Sequence, residues 1–215
     1  MKSRWLGAAV AAAMWAFALA VSTRLPHRIP SHWNLRGEVD GWMEKPWGVL
    51  MQPAIATVLL VVLWVLPRID PRRENVERFA DDRRLIINLI VLFLAVVQVT
   101  TLGYALGWPV QVDRVILASV GLLFVGLGNY LPRIRSNWFM GIRTPWTLDN
   151  ERVWRATHRV GGRTFVAAGL VMALAALLPE PVRVWAAGAA IAVAVAVPLV
   201  YSYVAYRRDL SGRPV

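Results

Sequence analysis

Six long apolar runs, almost free of charge, constrain this chain more than any other feature. They lie near Trp5 to Ser22, Gly48 to Leu66, Leu85 to Leu106, Val115 to Leu131, Thr164 to Leu178 and Val182 to Tyr206. An apolar helix needs about 20 residues to cross roughly 30 Å of hydrocarbon. With no water in that layer, a helix is the way for each run to satisfy its own backbone. The expected fold is therefore all-α: a polytopic membrane protein, a bundle of six transmembrane helices plus a short amphipathic interfacial helix. The fifth run is short, ending at Leu178 before Pro179-Glu180-Pro181, and is expected to borrow the preceding turn or to thin the bilayer locally. Met1-Lys2-Ser3-Arg4, an Ala-rich core and Ala18-Leu19-Ala20 also resemble a cleavable signal. Because the apolar run continues to about Val21, it is read as an uncleaved anchor.

The distribution of Lys and Arg sets an expected orientation, since basic short loops are retained in the cytoplasm. With the N-terminus inside, 18 of the 24 Lys and Arg fall on inner segments; only Arg24, Arg28, Arg36, Lys45, Arg114 and Arg183 fall outside. Both termini are thus expected in the cytoplasm of a multi-pass cell-membrane protein. The net charge of +11 follows from this topology and from attraction to anionic headgroups, worth about 1 kcal/mol per residue near the surface. No direct nucleic-acid partner is expected; the lipid bilayer is. With no cysteine, the chain has no disulfide or thiol chemistry.

Two polar segments stand out between the apolar runs. The first, Leu25 to Pro46, has too many Pro and Gly for a helix and reads as an extended segment and a turn. His32, Asn34 and Asp40 are expected to bond across that turn, Trp33 and Trp42 to seat it in the interface, and Gly37 and Gly41 to supply unusual backbone angles. His27, His32, Asp40 and Glu44 are competent metal ligands, but their spacing fixes no geometry, so no metal and no other cofactor is assigned. The second segment follows the fourth run, and a helix from Asp149 to about Val160 is expected there. Arg152, Arg155, Arg159 and Arg163 fall on one side of it, with Val153, Trp154, Thr157 and Val160 on the other. Gly161-Gly162 is expected to turn the chain sharply into the fifth span. Between spans two and three, Asp70 with Pro71 reads as the start of a solvated helix.

In this second segment the letters Gly141-Ile142-Arg143, Pro145-Trp146-Thr147-Leu148, Val153-Trp154, Thr157-His158-Arg159 and Gly161-Gly162, preceded by Asn137, resemble the signature of the SdpI family of membrane immunity proteins. Pro30, His32, Trp33, Asn34, Gly37, Asp40, Gly41 and Lys45 resemble an uncharacterised domain that often precedes it. The resemblance implies two units, 1–66 with an outer HWN loop and 67–215 with a cytoplasmic GIRTPWTL loop, forming one bundle. It also implies protection against a secreted membrane-active peptide toxin, with a transcriptional repressor as a further partner inside, and no enzymatic activity. Under this reading His32, Trp33, Asn34, Gly37, Asp40 and Gly41 form the outer, toxin-facing set. Asn137, Gly141, Arg143, Pro145, Trp146, Trp154, His158, Gly161 and Gly162 form the inner, partner-facing set, and no residue is assigned as catalytic. Arg143 is the inner residue best suited to a bidentate polar contact, to a partner, a lipid or Asp149, and His158 is expected to pack beneath the loop.

The competing reading is a membrane enzyme or small-molecule carrier built from His32, Asp40, Arg143 and His158. It requires those four side chains to converge. Ionisable groups are scarce at membrane depth; the polar residues there are Gln98, Thr100, Thr101 and Ser119, with Asn88 and Asn129 nearer the ends, and these are expected to bond between helices. Two small-residue stripes, Gly7 with Ala11 and Gly188 with Ala192 and Ala196, are expected to form seams within the bundle.

Overall fold

A computed structural model describes residues 5–34 and 37–213. Lys2, Arg4 and Arg36, which enter the charge distribution, lie outside the described residues. Helix α1 (Leu6–Val21) leads into a hairpin of β1 (Arg28–Trp33) and β2 (Val39–Glu44), and α2 (Trp47–Ile69) follows. A six-residue helix α3 (Arg73–Arg78) precedes α4 (Ala80–Ala105) and α5 (Val112–Tyr130). The polar loop then runs to a one-turn α6 (Pro145–Asp149), and α7 (Glu151–Ala175) and α8 (Val182–Leu210) complete the chain. Five of these helices, α1, α2, α4, α5 and α8, are long and apolar enough to cross a membrane. The sixth, α7, is 25 residues long, about 37 Å at 1.5 Å per residue, but its first half is rich in Arg.

That continuity corrects the expected separate interfacial helix. Asn150 rather than Asp149 caps the helix, its Oδ1 accepting from the N–H groups of Arg152 and Val153 at 2.8 and 3.2 Å. The same helix then runs straight through Gly161-Gly162. The glycines are there for proximity instead of bending: a Cβ on Gly162 would lie 2.7 Å from the Gly128 carbonyl oxygen, and one on Gly161 would overlap the Ile142 side chain. The expected amphipathic division does hold, with Arg152, Arg155, Arg159 and Arg163 exposed and Val153, Trp154 and Thr157 buried.

Helices α5 and α7 cross on two glycine pairs. A Cβ on Gly121 would stand 2.6 Å from the Gly169 carbonyl oxygen, and one on Gly128 would stand 2.7 Å from that of Gly162. Each helix thus carries glycines seven apart, Gly121 and Gly128 facing Gly169 and Gly162, and the antiparallel backbones touch where a side chain would hold them apart. Among the anticipated seams, Gly7 does face a neighbour, with Asn88 Oδ1 2.8 Å from where its Cβ would be. Gly188, Ala192 and Ala196 do not: they lie on the exposed side of α8, whose buried stripe is Ala190, Ala194, Pro198 and Ser202.

Two of the polar residues at depth bond within their own helix. Ser119 donates to the Val115 carbonyl and Asn129 to that of Val125. Gln98 bonds between helices, its Nε2 donating to the Met14 carbonyl of α1 at 2.9 Å. Trp15 on α1 likewise donates to Thr57 on α2 at 3.0 Å.

The bundle has two differently built ends. At one, the hairpin lies over the α4 to α5 turn, with Trp33 edge-on to Tyr104. At the other, α3 docks on the polar loop. Asp70 accepts from the Arg72 N–H at 2.7 Å and the Trp138 N–H at 3.0 Å, while Asn75 donates to the Ser136 carbonyl. Val76 and Phe79 are buried there beside Ile134 and Trp154. The segment expected as a solvated helix is therefore a clamp on the loop, since the apolar side of so short a helix is covered only by docking.

Candidate functional site

At the hairpin end, each anticipated residue has an assigned structural place. His32 Nδ1 and Asp40 Oδ1 are 2.5 Å apart across the strands. The side chains of Asn34 and Glu38 bond at 2.8 Å, and the Glu38 N–H donates back to Asn34 Oδ1. Gly37 has φ +80°, a left-handed angle that favours glycine. Gly41 is needed for another reason: it pairs with His32, and a Cβ would lie 2.8 Å from that of His32. Lys45 ties the hairpin to the end of α1, donating to the carbonyls of Ser22 and Leu25 at 2.5 and 2.6 Å. Among the described residues no three His, Cys, Asp or Glu side chains converge on a metal-sized site.

Beneath the hairpin lies a cavity of about 560 Å³, lined by His32, Trp33 and Asn34 above, by Thr101 and Ile116 on the walls, and by an ion pair of Asp113 with Arg183. The Arg183 side chain is only 8% exposed, so this charge is held by its partner; stripped of it, the guanidinium would be costly to bury. The Trp33 indole N–H is buried and has no acceptor among the described residues. Sequence reading placed Arg183 merely on an outer turn and did not single out Asp113. Seventy positions separate the two in sequence, and no local pattern pairs them.

At the opposite end, the inner residues form one hydrogen-bonded unit. Asn137, 1% exposed, spends its whole amide on the loop: Oδ1 accepts from the N–H groups of Phe139 and Met140, and Nδ2 donates to the carbonyls of Arg135 and Met140. His158 is fully buried and stacked on Trp154, ring centroids 4.1 Å apart. The Ile142 N–H donates to its Nε2 at 3.0 Å, and Nδ1 lies 2.9 Å from the Trp154 carbonyl. That pair of bonds assigns the neutral tautomer with the proton on Nδ1. Trp154 Nε1 donates to the Ile134 carbonyl. Gly141, at φ +103°, lies against the His158 ring.

Pro145 opens α6 behind a reciprocal cap in which the Thr144 and Thr147 hydroxyls accept each other's backbone N–H. Trp146 packs on Tyr203 of α8. Among the described residues Arg143 reaches neither Asp149 nor another carboxylate; its Nη1 donates to the Trp138 carbonyl at 2.7 Å, in an exposed setting. The spent donors and acceptors make this unit a scaffold that presents Arg143 and the Arg stripe of α7.

The two ends are separated by the length of α5, 19 residues or about 28 Å. His32 and Asp40 lie at one and Arg143 and His158 at the other, so the four-residue enzyme or carrier site does not assemble.

Residues 133–202 match the model of the SdpI/YfhL protein family, the stretch that holds the scaffold just described. That stretch, about a third of the chain, is similar to the family. Ahead of it, residues 9–57 match a domain of unknown function, DUF1648, which takes in most of α1, the hairpin and the start of α2. A curated relative, Immunity protein SdpI of Bacillus subtilis (strain 168), is 27% identical over 150 residues, covering 70% of each chain. No solved structure matches the chain. Within the SdpI/YfhL region, the GIRTPWTL letters divide physically: Gly141 and Thr147 hold the loop's shape, Pro145 starts α6, and Arg143 faces outward.

Proposed function

We propose that this membrane protein protects the cell that makes it from a secreted, membrane-active peptide, which it meets at the hairpin end. The likeness to Immunity protein SdpI carries the immunity reading. The geometry that supports a place for the peptide is the roofed cavity, where apolar walls and the Asp113–Arg183 pair would receive an amphipathic segment. Under the basic-residue orientation the hairpin faces outward and both termini lie in the cytoplasm. The Arg143 surface is then available to a cytoplasmic regulator, such as a repressor with an acidic patch, which would be the second half of a two-sided device.

The test is protection. Sensitive bacteria expressing the chain are grown in spent medium of the strain that carries it, beside cells holding an empty vector. The proposal expects survival of the first and killing of the second; equal killing at confirmed membrane expression ends the immunity reading.

A further inference from the structure

A second groove lies at the arginine-rich end, between α1, α2 and α4, with a volume of about 640 Å³. Its floor is apolar, from Ala8, Leu60 and Val61, and its head carries Arg83 and Arg84. Two tryptophans flank it, Trp5 and Trp64, each largely exposed. Exposed Trp at the end of a span is the residue of the headgroup layer, so the groove opens sideways into lipid at headgroup depth.

Three guanidiniums gather here, and among the described residues a single carboxylate, that of Asp81, pairs with any of them. Arg83 has Arg84 and Arg68 as its charged neighbours. Arg84 pairs with Asp81 at 2.8 Å, and Arg68 is stacked over the Trp64 ring at 3.5 Å. Among the described residues no carboxylate pairs with Arg83, whose Nη1 donates only to the Leu63 carbonyl at 3.2 Å. Its Nε is buried and has no acceptor among the described residues. A buried guanidinium donor left unsatisfied is costly, so this side chain is short of partners, and an anion with several oxygens in the groove would bond its accessible end while offsetting the crowded positive charge.

We infer that this groove holds an anionic phospholipid, its phosphate on Arg83 and Arg84 and its acyl chain along Ala8, Leu60 and Val61. A lipid fits better than a free phosphate because the groove continues from the cationic head onto an apolar floor. The site is independent of the immunity reading: it lies on the opposite end of the bundle from the hairpin and needs no peptide.

Native mass spectrometry of the full chain, released from micelles of equal phosphatidylglycerol and phosphatidylcholine, reads the occupant directly. Phosphatidylglycerol should be retained at least tenfold over phosphatidylcholine. Arg83→Gln removes the unpaired donor and should abolish the preference. Ala8→Trp should do the same by filling the groove, and it removes no hydrogen bond, so a loss there is not a folding artefact. Arg73→Gln, whose guanidinium pairs with Glu77 away from the groove, should keep it. Equal retention of the two lipids by the unaltered chain, or an unchanged preference in Ala8→Trp, overturns the inference. Displacement of the bound lipid by millimolar inorganic phosphate would assign the site to the free ion and overturn it as well.

Discussion

Gly141 and His158 are fitted to each other: the glycine backbone, at φ +103°, passes so close to the imidazole that any Cβ would overlap its Nε2. The next residue, Ile142, donates its N–H to that same nitrogen. Loop and helix are thereby locked through one ring. Gly141→Ala faces both the clash and a left-handed angle, a strain on the order of 1–3 kcal/mol from the backbone alone. Both variants carry the strain of a left-handed angle, so loss of thermal stability in detergent should be distinctly larger for Gly141→Ala than for Gly107→Ala. Gly107 also has a positive φ but meets nothing within 4 Å of a Cβ, so the difference between the two variants reads the His158 contact.

The α5 to α7 crossing makes a prediction about separation. Gly121→Ala should drive the helices apart, since the new methyl would stand 2.6 Å from the Gly169 carbonyl oxygen, and folded yield should fall. Gly188→Ala, on the exposed side of α8 with open space around it, should leave yield unchanged. Size-exclusion profiles at matched expression compare the two; equal behaviour would mean that the crossing is not the constraint described.

Arg183 predicts a non-additive pair. Asp113→Leu strands a buried guanidinium and should destabilise by roughly 3–5 kcal/mol, whereas Asp113→Leu with Arg183→Leu should recover much of that loss. A double variant as unstable as the single would show that the charge pair is not what holds this corner.

Arg143 and Arg155 separate recognition from lipid attraction. Arg155 pairs with Glu151 on the outer stripe at 3.2 Å, and a Lys there keeps the charge. Arg143 orients its fork through the Trp138 carbonyl, and an ammonium cannot hold that bond while offering a planar pair of donors. Protection or signalling should fall for Arg143→Lys and persist for Arg155→Lys; equal tolerance would remove the inner loop from recognition.

The spans were legible in the sequence because apolar length is a local property, and so was the turn of the hairpin, marked by Pro30, Gly37 and Gly41. What escaped was pairing at a distance. Gly161-Gly162 read as a hinge because glycine weakens an isolated helix, yet between Ile142 and the Gly128 carbonyl the missing side chains are what let α7 continue. Gly121, Gly128, Gly162 and Gly169 sit on two helices whose register only the fold reveals. Gly188, Ala192 and Ala196 misled in the other direction: their spacing of four is real, but their face of α8 is exposed. Asn137, Gly141, Trp154 and His158, singled out by their letters, lie together in one hydrogen-bonded unit, while the pairing of Asp113 with Arg183 required the hairpin to be seen resting above them.

Orientation rests on charge and is open to a direct check in a chain without cysteine. Ser31→Cys at the hairpin and Ser211→Cys near the end of α8 both replace exposed residues. An impermeant thiol reagent applied to intact cells should label the first and spare the second; the reverse pattern would invert the topology.

Protection through the cavity beneath the hairpin is the central claim, and Gly188→Trp tests it most directly. Gly188 lines that cavity, and a side chain there has open space, so the variant should fold and reach the membrane. Survival in spent medium of the producing strain, scored at matched membrane abundance, should be high for the unaltered chain and at vector level for Gly188→Trp. Full protection by Gly188→Trp, with the cavity filled, would contradict the account.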